Sequence, residues 1–116
     1  MPSTRLDAFT VALGDWQAKL DADEWYFAHL RDELVGQLLP QEAFAQIDDV
    51  VPLLIDEAEE FPRLELGTLL LALAQRADTT EMPPSLDRHW GQVVAALGED
   101  AQLREELCRC YRRLGA

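Results

Sequence analysis

Lysine occurs once in this chain, at Lys19, and arginine nine times. Against these ten bases stand 22 Asp and Glu, a formal charge of −12 at pH 7. A duplex-binding protein needs a basic footprint to displace counterions, so this balance argues against nucleic acid and anionic lipid as partners. β-Branched residues are also scarce, with six Val, two Ile and five Thr, which argues against a β-sandwich or barrel. The six glycines never gather into a GxGxxG or Walker pattern, so no phosphate-cradling loop is present. The longest apolar run, Leu69 to Ala74, is far short of a membrane span. No apolar secretory segment follows the first residues, and the expected compartment is the cytoplasm. The two cysteines, Cys108 and Cys110, lack the CxxC spacing of zinc or redox sites. On a helix they point to nearly opposite sides. They read as reduced thiols, with Cys110 turned to the core.

What is abundant is leucine and alanine, 20 and 15 of the 116 residues. That is the composition of helices, and the length suits one domain over 1–116. The spacing predicts an all-α fold of about six helices. The first, from Thr4 to Leu20, carries Leu6, Phe9, Leu13, Trp16 and Leu20 on one stripe. Gly14 within it marks a close helix contact. The second opens at Asp21 or Asp23, buries Phe27, Leu30, Leu34 and Leu38, and stops before Pro40. The third, Gln41 to Glu60, is kinked or divided at Pro52. The fourth, Pro62 to Ala77, is apolar on so many sides that it should be central. The fifth spans Ser85 to Leu97 and ends at Gly98. The sixth spans Asp100 to Leu114, with Gly115 as its stop.

No catalytic set assembles from the sequence. His29 and Glu33 lie one turn apart, but two groups on a helix read as a surface pair rather than a metal site. Ser85 and His89, with Asp87, share a helix without a nucleophile elbow or oxyanion glycine, and capping explains Ser85. Nothing near Cys108 lowers its pKa. The expectation is a protein without enzymatic activity, metal or cofactor.

Two features remain. Residues 1–60 hold 14 acids and three bases, whereas residues 61–116 hold eight acids and seven bases. Asp48, Asp49, Asp56, Glu57, Glu59 and Glu60 concentrate that charge. They read either as a solvated helix end or as a docking surface for a basic partner. Four of them stand where a helix C-terminus would oppose them through its macrodipole. The second feature is Trp25-Tyr26-Phe27, beside Asp23 and Glu24. Three consecutive aromatics cannot share one helical stripe. If Phe27 is buried, Trp25 lies near the surface, either packed on the preceding helix or presented as an interface anchor.

Val50-Val51-Pro52-Leu53-Leu54-Ile55, an acidic turn and the leucine-rich helix Leu64 to Ala77 resemble one HEAT or armadillo helix pair. The fold expected is therefore a short HEAT-like stack or an irregular helical bundle. Leu66 to Ala77 followed by Asp78-Thr79-Thr80-Glu81-Met82-Pro83-Pro84 makes the whole chain similar to the small, acidic, helical immunity proteins of bacterial toxin systems. That resemblance implies a binding protein that neutralises a cognate toxin domain by direct contact, the charge here calling for a basic one. The second reading is a helical-repeat scaffold or adaptor, monomeric or a homodimer.

Overall fold

The computed structural model describes residues 4–98 and 100–112. Among these residues there are eight α-helices and no strand. The chain is all-α, as the composition requires. The helices fall into two units, 1–38 and 39–116.

Unit 1–38 contains α1 (Thr4–Leu13), α2 (Trp16–Ala22) and α3 (Tyr26–Gly36). Leu6, Phe9, Leu13, Phe27 and Leu34 are buried, and the Phe9 and Phe27 rings meet edge to face at 6.0 Å. The single helix expected over Thr4–Leu20 is two. The Gly14 N–H is shared between the carbonyls of Thr10 and Val11, and Asp15 bonds back to Ala12. This three-residue tightening ends α1. The apolar spacing runs on through the break, which hid it. The next helix opens at Tyr26 rather than at Asp21 or Asp23, because Asp23 Oδ1 accepts the Trp25 N–H at 3.0 Å and holds a turn there. Gly36 ends α3 before Pro40 is reached.

Unit 39–116 contains α4 (Pro40–Asp56), α5 (Glu60–Ala77), α6 (Pro84–Arg88), α7 (Trp90–Ala96) and α8 (Ala101–Cys110). Pro40 opens α4 instead of closing its predecessor: a fixed φ suits the first helical position. Glu42 Oε1 accepts the Leu39 N–H at 2.8 Å, the reciprocal half of a capping box. Pro52 does not divide α4, which runs through it to Asp56. The proline is on the exposed face with Ala45, Asp49, Leu53 and Asp56, so its ring does not intrude on the buried face. Ala43, Ile47, Val50, Val51 and Leu54 are on the buried face.

α5 buries more residues than any other helix of this unit. It packs against α4 and α8, while α4 also meets α6 and α7. Nine of its residues are buried, among them Leu66, Leu69, Leu70 and Leu73. Each fully buried leucine stabilises by about 1.5–3 kcal/mol. The helix contact foreseen for Gly14 occurs instead at Gly67 of α5, where an added Cβ would lie 2.6 Å from Leu97 Cδ2. The fifth predicted helix is also two, divided at His89, whose φ of −113° and ψ of 23° leave the helical region. Gly98, at φ +65°, makes the stop expected of it. Asp100 caps α8 by accepting the Leu103 N–H at 3.0 Å. Leu114 and Gly115 lie outside the described residues.

One thiol assignment is reversed. Cys108 is the buried cysteine and Cys110 the half-buried one. Leu103, Leu107, Tyr111 and Cys108 span an arc of roughly 140° at ~100° per residue. Cys110 lies on its trailing edge.

Candidate partner-binding surfaces

The acids singled out by sequence have different fates. Asp48 is half-buried, and its Oδ1 accepts the Ser85 N–H at 2.9 Å. Pro83 and Pro84 carry no amide hydrogen, so Ser85 supplies the first donor of α6. The cap for that donor comes from α4, 37 residues away. Asp48 thus fastens α6 to α4. Asp48→Ala is expected to cost about 1–2 kcal/mol, the usual loss for an N-cap, measured by urea denaturation. Asp48→Asn should retain most of it, since an amide oxygen accepts the same bond. Neither variant should alter partner association.

Asp49 is exposed, and its Oδ2 accepts from Gln46 Nε2 at 2.9 Å. Asp56 follows seven residues later on the same face, ~10 Å along the axis. Asp56 and Glu57 end α4. Glu59 and Glu60, however, begin α5. The macrodipole therefore favours these two carboxylates rather than opposing all four. Glu57 Oε2 accepts the Glu59 N–H at 3.2 Å, which shapes the corner. Asp56 and Glu60 are exposed and have no hydrogen-bond or ionic partner among the described residues. Beside Glu60 is a hollow of about 380 Å³, lined by Glu60, Arg63 and Asp100 with Leu64 and Leu97. Arg63 and the hollow had no sequence signal, because α7 and α8 supply the opposite wall.

On unit 1–38, Phe27 is buried and Trp25 is 60% exposed. The crowding argument for three adjacent aromatics therefore holds. Tyr26 is edge-on to Phe27 at 5.2 Å, and Lys19 Nζ sits 5.4 Å from the Tyr26 ring centre. Asp23 and Glu24 are exposed alongside.

His29 is exposed. His89 Nδ1 pairs with Gln92 Oε1 at 2.8 Å. A hollow of about 450 Å³ is lined by Asp78, Thr79, Thr80, Cys110 and Arg112. Burial, and then the Glu106 carboxylate, push the Cys110 thiol up, which disfavours a nucleophilic thiolate. Burial likewise pushes the Tyr111 phenol up. Among the described residues no group of three or more His, Cys, Asp or Glu could hold a metal. No described helix is long and apolar enough to cross a membrane.

No protein-family model, curated protein or solved structure matches this chain.

Proposed function

We propose that this chain is a non-enzymatic binding protein that neutralises a basic toxin domain by direct contact, acting in the cytoplasm of a bacterium. The observation that carries this reading is the corner between α4 and α5. It places Asp56, Glu57, Glu59 and Glu60 within five positions, and Asp56 and Glu60 are exposed without a side-chain partner among the described residues. Complementary fields of this kind accelerate encounter and select the partner by charge. A basic cleft built for an anionic substrate would accept such a corner as a substitute for that substrate's charge. The exposed indole of Trp25 supplies the kind of aromatic anchor that dominates interface energetics. The pair α4 and α5, with Pro52 in the first helix and a buried second helix, is the part of the chain we read as HEAT-like.

A pull-down from the source-cell lysate, at low and then high salt, tests the reading. The expected result is one basic protein that elutes with salt, and whose toxicity on expression is suppressed by co-expressing this chain. A dimeric bait that recovers no basic protein would overturn it in favour of a self-associating scaffold.

A further inference from the structure

The indole of Trp25 is more than half exposed, and it carries no ring contact or cation among the described residues. Its backbone is nonetheless fixed, through the bond from its N–H to Asp23 Oδ1. The next ring in the chain, Tyr26, already carries an ammonium, that of Lys19. Lys19 is the single lysine of the chain, so no second one exists to cover Trp25. Asp21, Asp23 and Glu24 are all exposed around the same turn.

We propose that Trp25 and these flanking carboxylates form a receptor for an arginine side chain of the partner. This inference rests on the binding-protein reading and names the chemistry of one of its contacts. Indole is the strongest π-face for a cation. A planar guanidinium stacks on it while its edge donates to carboxylates, which a compact ammonium does less well. An apolar occupant would strip water from the acids without pairing them. A second copy of this chain would bring its own charge of −12 to the same place. A basic, arginine-bearing segment has neither defect.

The first probe is a capped peptide of two arginines separated by glycines, titrated at low salt into the full chain. The indole N–H resonances of Trp16, Trp25 and Trp90 are followed by NMR, with Trp25→Phe giving the assignment. The Trp25 resonance is expected to shift saturably while the other two stay still. The matched lysine peptide should bind at least about threefold more weakly, and the neutral citrulline peptide should leave Trp25 unmoved. A silent Trp25, or an equal response to citrulline, overturns the proposal. The second measurement uses the recovered partner, where Trp25→Ala should weaken binding at least about tenfold with an unchanged melting temperature. Full affinity in that variant would sink the arginine receptor and leave the binding-protein reading intact. Recovery of no basic partner, with Trp25 still responding to the arginine peptide, would sink the functional reading and support the receptor chemistry alone.

Discussion

Reversing Asp56, Glu57, Glu59 and Glu60 together to lysine is expected to slow association with the basic partner at least about tenfold at low ionic strength. Steering by opposite fields raises on-rates by roughly 10- to 1,000-fold over the unsteered encounter. The four reversals take the formal charge from −12 to about −4 and turn the corner itself positive. Dissociation should change less, because exposed charges act mainly on encounter. Salt gives an independent readout: the wild-type rate should fall as ionic strength rises, and that of the variant should not. Reversal of Asp78, Glu81, Asp87 and Glu105, four exposed acids elsewhere in unit 39–116, matches the change in net charge and controls for it. If that control slows association as much, overall charge steers the encounter and the corner has no special place. Glu59 and Glu60 also sit at the start of α5, where cations are unfavourable by about 0.3–1 kcal/mol each. A modest loss of stability should therefore accompany the kinetic effect, and the glutamine variants separate the two. An unchanged association rate in the folded lysine variant would remove the corner from the interface.

The helical class was legible from leucine, alanine and the scarcity of β-branched residues, and α5 from its width of apolar positions. The local stops were legible where one residue decides them, as at Gly98 and Asp100. The breaks at Gly14 and His89 were not. In both places the apolar spacing continues across the turn, from Leu13 to Trp16 and from Leu86 to Trp90, so periodicity alone reads one helix. Prolines misled in a different way. Pro40 could close one helix or open the next, and the structure ends α3 at Gly36 and opens α4 at Pro40. At the candidate surfaces, the exposure of Trp25 followed from local crowding. The role of Asp48 did not, because its partner Ser85 is brought to it by the turn between α5 and α6. The hollow beside Glu60 was hidden for the same reason, since its walls come from α5, α7 and α8.

At Gly67 the backbone of α5 leaves no room for a side chain beneath Leu97 and Leu103, and enlarging this residue should have a large effect on stability. A Cβ at this position would lie 2.6 Å from Leu97 Cδ2 and 3.1 Å from Leu103 Cδ2. Both leucines are buried, at 1% and 7% exposure, so neither methyl group can swing into solvent. In a helix interior alanine is otherwise favoured over glycine by about 1 kcal/mol. Overpacking a core costs roughly 1–3 kcal/mol. Gly67→Ala should therefore lie between neutral and about 2 kcal/mol less stable. Gly67→Val adds two further carbons and a stiff χ1, and should lose about 3 kcal/mol in urea denaturation. Leu97→Ala creates the missing space, so in combination with Gly67→Val it should cost less than the two separate losses added. That coupling is the signature of direct contact. Strict additivity would mean that α5 and the α7 terminus do not meet at Gly67. Because Leu97 also lines the hollow beside Glu60, the valine should disturb the acidic corner. Partner association should then weaken without the loss of a single carboxylate.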